Sequence, residues 1–431
     1  MHDAIRRLAL LPPRLRARIP LPGSKSEANR ALIILALAGA DSDAWLSNLP
    51  EANDTALLRR LLATPPSSDG VFDVQDAGTV CRFLAAYLAF KPGNQILRGT
   101  ARMHERPISP LVAALRTLGA EIDFLEKDGC LPLRIGPWRG IQCCDTVLLD
   151  ASQSSQFATA LLLVAPTLPQ GLRIYFEGAV ASKPYIELTV GLMRHFGAHV
   201  AWEAPDALRV APGGYRPAPL QIEADWSAAS YWYALAFAAR DEAEFDLEGL
   251  RLDSLQGDRM LARMMQGAGI ESGHAKGAGQ ESGARGLRIS RSAAMPAPPM
   301  LEWDFADTPD LAPALIVACA ARGVRGLFSG VDNLRLKESD RMAALKTELA
   351  KVGVRLIKLP PHFSKKKSYF MLEGQATWGQ EAPVFETHGD HRIAMALSVL
   401  ATRGPALIRG ADAVVKSYPQ YWAHFEGLLT P

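Results

Sequence analysis

The sequence predicts an α/β protein of two lobes, each built from three βαβαββ units, with the first unit truncated. Three observations carry this expectation. Six short strands close on the same kind of signal, at Asn48, Gly99, Gly178, Gly249, Gly330 and Gly410, spaced 51, 79, 71, 81 and 80 residues apart. Each is preceded by an apolar run of helical length, starting near Arg30, Cys81, Phe157, Ser230, Ala312 and Arg392. Before each run stands a small polar cluster: GSKS (23–26), DAGT (76–79), SSQ (154–156), DWSAAS (225–230), TPD (308–310) and GDHR (389–392).

The second helix of a unit shows a different signature. Amphipathic segments end at Gly119, Gly197, Gly269 and Gly353 and pass directly into a strand, and Gly is the residue expected just past a helix C-terminus. A full unit therefore reads strand–helix–strand–helix–strand–strand, a large α/β module rather than one turn of a solenoid. The first unit is shorter. After TALLRRLLA (55–63) comes TPPSSDG, with no Gly–strand pair behind it, so a strand or two is missing there. The best boundary lies near Gln221–Asp225, after a Pro-rich stretch. This puts residues 20–224 in an N-terminal lobe, and 1–19 with 225–431 in a C-terminal lobe. The Gly/Ala/Ser-rich stretch from Gly273 to Gly286 reads as a surface loop, and Lys365 to Lys367 as a solvated basic turn.

Composition narrows the functional classes. With 431 residues, 48% apolar and 21% charged, the chain has the balance of an ordinary globular protein. A net charge of +2 gives no global attraction to nucleic acid or anionic membrane, and no apolar run reaches the roughly 18 residues of a membrane span. The Arg-rich start (residues 1–18) could pass for a transit peptide. It reads better as a lead-in to the fold, because the first polar cluster already stands at Gly23. Five cysteines, two of them adjacent at Cys143 and Cys144, form no disulfide framework and no CxxC. Reduced thiols in a cytoplasm are the expectation.

The polar clusters carry the chemistry. A helix N-terminus has unpaired N–H groups and a partial positive charge, and so favours anions. Simple capping by Ser, Thr and Asp would explain the clusters without any ligand, but not the basic residues beside them: Lys25, Arg30, Arg82 and Arg392. PGSKSEANR (22–30) lacks the spacing of a nucleotide P-loop. RMHERP (102–107), ASKPY (181–185), NLRLKESDR (333–341) and VVKSYP (414–419) follow closing signals at one phase of the repeat. Lys25, Arg106, Lys337, Arg341, Arg392 and Lys416 are expected to converge and to need anionic groups against mutual repulsion. Phosphates and a carboxylate are the simplest choice. Asp310 and Glu338, at the same phase, are candidate acid–base groups; charge balance within the cluster is their alternative reading. His195 and His199 are split by Gly197, His388 and His391 lack a third ligand, and no HExxH or Cys/His cluster points to a metal. The aromatic run Tyr231–Tyr233 reads as helix-interface packing.

In order along nearly the whole chain, PGSKSxxNR, AGT, RMxERPI, SSQF, SKPYI, NLRxKExDR, DHRxAM and KSYP resemble the 5-enolpyruvylshikimate-3-phosphate synthases. The resemblance implies a two-lobed inside-out α/β barrel. It also implies joining of shikimate 3-phosphate to phosphoenolpyruvate with release of phosphate, and no metal or organic cofactor. By motif, Lys25, Ser26 and Arg30 would hold shikimate 3-phosphate. Ser154, Ser155 and Ser182 would take its phosphate, and Gln156, Tyr185, Asn333 and Lys337 would place its ring. Gly78, Arg106, Arg341, Arg392 and Lys416 would hold phosphoenolpyruvate, with Lys25 touching both substrates. Asp310 would take the hydroxyl proton, and Glu338 with Lys25 would act at C3; the sequence leaves open which carboxylate handles which proton. The partners implied are these two small molecules, with no nucleic acid or membrane, and a monomer is expected. Asp76 and Phe83 depart from the Asn and Pro usual in that family, and Phe83 is expected to shift Gly78. A sister enzyme acting on UDP-N-acetylglucosamine carries a reactive Cys in the loop matching Gly99–Pro107, where this chain has none. A non-catalytic anion binder on the same scaffold would not need both Asp310 and Glu338.

Overall fold

The computed structural model describes residues 5–65, 69–152, 154–178, 180, 182–275, 286–364 and 367–429. The chain forms two compact units, Lys25–Ile222 and the pair of segments Met1–Ser24 and Glu223–Pro431. Residues on the two sides of the second unit's join are bonded: the Ser24 N–H donates to the Glu223 carbonyl at 2.7 Å and the Asp225 N–H to the Pro22 carbonyl at 2.9 Å.

In the unit Lys25–Ile222, strands Gly70–Asp73, Gln95–Arg98, Leu133–Ile135 and Ile122–Phe124 lie side by side in that order, and Thr146–Asp150, Leu172–Glu177, Ala207–Val210 and Val200–Ala204 repeat the arrangement. The first two strands of each sheet are parallel and the rest antiparallel. A parallel step needs a crossover, which the helices Gly78–Ala89 and Ser155–Val164 supply. The other unit has the same order twice: Leu15–Pro20, Ala243–Glu248, Gly286–Arg291, Glu271–His274, and Met300–Asp304, Arg325–Ser329, Tyr369–Glu373, Arg355–Lys358. The first of these sheets takes its opening strand from the N-terminus.

Two sheets are smaller. The truncated first repeat is a two-stranded parallel pair, Leu46–Ser47 with Leu220–Gln221, the second strand coming from the far end of its unit. The sixth repeat differs from the full module expected for it. Among the described residues it has Val384–Glu386, Ala406–Arg409 and, antiparallel to the latter, Ile5–Leu8.

Six helices form the cores: Lys25–Leu37, Gly78–Ala89 and Ser155–Val164 in one unit, Trp226–Ala238, Ala312–Arg322 and His391–Ser398 in the other. Their apolar residues run all the way round, the mark of a helix buried on every side. In three of the six a single polar position near the start departs from this. In Gly78–Ala89 only Thr79 is not buried, in Ser155–Val164 only Gln156, and in Trp226–Ala238 only Ser227. All three sit in the first turn. Tyr231, Trp232 and Tyr233 are buried in this core. The repeated closing signal also has a backbone cause. Asn48, Gly178, Gly249, Gly330 and Gly410 take left-handed φ between 58° and 82°, open to Gly and tolerated by Asn. Gly99 is required differently: a Cβ there would stand 2.5 Å from the Gln75 carbonyl oxygen.

Most of the Gly273–Gly286 stretch, residues 66–68 of TPPSSDG, and Lys365 and Lys366 lie outside the described residues. Lys367, the described member of the basic turn, pairs with Asp304.

Candidate functional site

In the unit Lys25–Ile222, Lys25 opens its helix and its Nζ lies 3.1 Å from Asp54 Oδ2, whose carboxylate is buried. One turn further in, Arg30 is buried beneath this helix end. Its guanidinium donates to Thr189 Oγ1 at 2.8 Å, to the Ser26 carbonyl at 2.8 Å, and to Thr159 Oγ1 and the Tyr185 carbonyl at 3.3 Å. Two rings flank it, Phe83 at 5.5 Å and Tyr185 at 5.8 Å, within cation–π range. Burial lowers the pKa of Arg30 to about 10, which leaves it charged at neutral pH. Phe83 therefore lies against Arg30, and the Gly78 side of its helix is occupied by another arginine.

That arginine is Arg106. It follows the short helix Ala101–His104, and its guanidinium lies over Gly78: an added Cβ would meet Nη2 at 2.5 Å and Nη1 at 2.8 Å. Gly78 is needed for this close approach. Arg106 Nη1 donates to the Asp76 carbonyl at 3.4 Å, and its buried Nε has no hydrogen-bond partner among the described residues. Arg82 ties the Arg106 loop down through Nη2 to the Pro107 carbonyl at 2.6 Å and Nη1 to Met103 Sδ at 3.3 Å. Gln156 Nε2 donates to Thr79 Oγ1 at 3.3 Å, so the SSQ and DAGT clusters meet. Ser154 caps its helix by accepting from the Gln156 N–H at 3.2 Å, and Ser155 is buried behind it. Ser182 is buried and left-handed (φ 54°), and its carbonyl accepts the Tyr185 N–H at 3.0 Å. Ala181, the first residue of ASKPY, lies outside the described residues.

The other unit is built around Arg341, almost fully buried at the start of the helix Arg341–Ala350. It bonds three carboxylates: Glu338 at 2.8 Å, Asp390 at 2.8 Å and Asp310 at 3.1 Å. Arg392, in the first turn of its helix, pairs with Asp310 at 2.9 Å. Asp390 also caps that helix, accepting the Arg392 N–H at 2.9 Å. Burial pushes the Asp310 carboxyl up, but Arg392, Lys337 and Arg341 outweigh it and hold it well below the usual range. Burial works against the charge on Arg341 as well, and Asp390, Glu338 and Asp310 together raise its pKa. Asn333 lies in the 3₁₀ turn Asp332–Leu336, its buried Oδ1 without a hydrogen-bond partner among the described residues, and Lys337 follows that turn. Lys416 is buried at the end of the turn Ala411–Lys416.

The six cations are expected from sequence to need anionic groups against mutual repulsion, yet for three of them the protein itself supplies the charge, for Lys25 through Asp54. Arg341 and Arg392 do not depend on an anionic ligand to relieve their repulsion, because Asp310, Glu338 and Asp390 already balance them. Arg30 and Arg106 differ: among the described residues neither forms a salt bridge with a carboxylate. Capping, the simpler reading of the clusters, accounts for Ser154, Asp225 and Asp390. It does not account for Gly78, whose helix has no side-chain cap. The partners of three carboxylates escaped sequence reasoning, which named Asp390 only within the GDHR cluster. Asp54 and Asp390 stand beside motif residues without any spacing that assigns them to Lys25 and Arg341. Asp258, in an unremarkable QGDR turn, accepts Ser227 Oγ at 2.5 Å; burial, then the nearby Asp310 charge, push its pKa up to about 7. Among the described residues no group of three His, Cys, Asp or Glu is arranged to hold a metal ion.

Polar first turns on otherwise apolar helices, with buried arginines beside them, define a protein that binds small, multiply charged anions on a repeated α/β scaffold. The chain belongs to the EPSP synthase (3-phosphoshikimate 1-carboxyvinyltransferase) family, whose profile matches residues 59–425. It is similar to the 3-phosphoshikimate 1-carboxyvinyltransferase of Bacteroides fragilis, 39% identical over 420 residues covering 97% of this chain and 96% of that one. Its fold is similar to the EPSP synthase from Acinetobacter baumannii, with a TM-score of 0.72, 19% identity and 99% of each chain covered. The enolpyruvyl transferase NikO from Streptomyces tendae superposes almost as well, with a TM-score of 0.71 and 13% identity over 99% of this chain and 98% of that one. These two likenesses show the fold; the family rests on the sequence matches.

Proposed function

We propose that the residues described above carry out the reaction of this family, transfer of the enolpyruvyl group of phosphoenolpyruvate to the 5-hydroxyl of shikimate 3-phosphate with release of phosphate. The observation that carries the site assignment is the pair Arg30 and Arg106, buried guanidiniums without a carboxylate in a salt bridge among the described residues. A buried charge is costly unless matched, and a substrate anion is the match. Arg30 and Ser26 hold shikimate 3-phosphate, with Ser154, Ser155 and Ser182 around its phosphate and Gln156, Tyr185, Asn333 and Lys337 against its ring. Arg106 over Gly78, with Arg341, Arg392 and Lys416, holds phosphoenolpyruvate. Lys25, steadied by Asp54, serves both.

The hydroxyl oxygen attacks C2 of phosphoenolpyruvate as C3 takes a proton, giving a tetrahedral ketal. The C2–O bond to phosphate then breaks and C3 returns a proton, restoring the double bond. Asp310, ionised throughout the working range because of its arginine partners, accepts the hydroxyl proton. Glu338 with Lys25 serves C3. Oxygen-directed positive charge from Arg341 and Arg392 stabilises the departing phosphate.

This reading places the enzyme in the cytoplasm as a monomer. Among the described residues no helix is long and apolar enough to cross a membrane, and all five cysteines are free thiols. Phosphate release with both substrates present tests the reaction. Turnover that requires shikimate 3-phosphate is expected; release only with UDP-N-acetylglucosamine would select the sister activity and overturn the reading.

A further inference from the structure

Outside the residues assigned to the reaction, one buried charge is fully engaged in holding other parts in place. Glu348 lies on the helix that begins at Arg341, and its side chain is 1% exposed. It accepts three bonds: from Lys351 Nζ at 2.6 Å, from the Glu386 N–H at 2.9 Å and from His388 Nε2 at 2.9 Å. A carboxylate removed from water needs such partners. Two of the three come from the segment 386–388, which runs directly into the turn carrying Asp390.

That turn has an unusual backbone. His388 takes φ 53° and Gly389 φ 69°, and left-handed φ is uncommon for a residue with a side chain. Two successive left-handed residues bring Asp390 round to face Arg341, whose Nε it accepts at 2.8 Å. Thr387 fastens the same turn to the next strand end, its Oγ1 donating to the Gly410 carbonyl at 3.0 Å. Glu348 is seven residues beyond Arg341, two turns along the same helix face and about 10 Å away along its axis. The helix and the turn are thus joined at two points, Arg341–Asp390 at one end and Glu348–His388 at the other. A single such point leaves the turn free to pivot about it; the second, backed by the Glu386 N–H bond to Glu348, removes that freedom.

We propose that Glu348 and His388 are positioning residues for phosphoenolpyruvate: their hydrogen bond clips the 387–390 turn to the Arg341–Ala350 helix and so sets where Arg341 and Arg392 present their guanidiniums. The proposal rests on the assignment of those two arginines to phosphoenolpyruvate. Misplacement of a binding group by about 1 Å is enough to weaken a charged hydrogen bond severely.

His388→Gly is the informative variant, because it removes the side-chain bond while relieving the backbone, so folding is preserved. The clip predicts a rise of about tenfold in the KM for phosphoenolpyruvate with the KM for shikimate 3-phosphate unchanged. A purely structural role would lower the active fraction, and hence kcat, without moving either KM. Glu348→Gln should raise the same KM, and adding His388→Gly to it should add little, since the two share one bond. Arg392→Lys is the control. If it raises the phosphoenolpyruvate KM while His388→Gly does not, the clip is overturned. If neither changes it, the arginine assignment fails and the clip with it.

Discussion

Gly78→Ala tests the contact that most closely ties the sequence to the site. The new methyl carbon would stand 2.5 Å from Arg106 Nη2, 2.8 Å from Nη1 and 2.9 Å from Cζ. Ordinary contact begins near 3.4 Å, so the guanidinium must retreat by about 1 Å. The helix backbone at residue 78 cannot yield, because the rest of Gly78–Ala89 except Thr79 is buried. Arg106 can, since among the described residues its guanidinium makes one hydrogen bond, to the Asp76 carbonyl, and that bond is long at 3.4 Å. A retreat of that size carries an N–H···O bond to phosphoenolpyruvate from about 2.8 Å to beyond hydrogen-bonding distance. The loss is about 1.5–3 kcal/mol for a bond to a charged group, which raises the KM for phosphoenolpyruvate about 10- to 100-fold. The KM for shikimate 3-phosphate should not move, because Arg30 faces Phe83 and Tyr185 and does not contact Gly78. Glyphosate, whose target is this family, should inhibit the native enzyme competitively with that substrate. The variant should lose this inhibition to a greater degree than it loses substrate binding. Steady-state kinetics with each substrate varied, with and without inhibitor, decides the matter. A phosphoenolpyruvate KM within twofold of native in a fully folded variant would refute the placement of Arg106.

Two further outcomes follow from the carboxylates. Asp310→Asn and Glu338→Gln should each lower kcat by about 10²-fold or more, and Asp310→Asn should also raise the phosphoenolpyruvate KM because it releases Arg392; near-normal turnover in both variants would remove them from proton transfer. Asp258 gives a pH dependence. Its folded pKa of about 7 lies above the roughly 3.9 of an unfolded Asp, so the unfolded chain ionises first and stability falls as pH rises from about 4 to 7, then levels off. Asp258→Asn removes that loss and should stabilise the protein by about 2–3 kcal/mol more at pH 8 than at pH 5. Urea unfolding at the two pH values measures it, and an equal effect at both would show that Asp258 is ionised in the fold.

The repeat was legible because its signals are local. An apolar run long enough for a helix, a left-handed closing residue and a Gly at a helix end each depend on neighbours a few positions away; the runs recur six times, the left-handed closers five and the helix-end glycines four. Tyr231–Tyr233 were read correctly as packing for the same reason. The shape of the sixth sheet was not legible: nothing near Ala406–Arg409 announces that Ile5–Leu8 will pair with it. Phe83 stands about one and a half turns along its helix from Gly78, and only the fold shows that its ring lies against Arg30 from another helix.

The sequence by itself determined the α/β repeat, the helices that fill the cores, the family, and which cations and carboxylates stand at the first turns. Hydrophobic period and turn chemistry are written residue by residue, and so are motifs. Only the tertiary structure decided which charges meet. Asp54 reaches Lys25 across 29 positions, Glu348 reaches His388 across 40 and Asp390 reaches Arg341 across 49. These pairings set the balance of charge around each arginine, leaving Arg341 surrounded by carboxylates and Arg30 held by hydroxyls, carbonyls and rings. A Coulomb interaction depends on distance in space and on burial, and neither is a property of position along the chain.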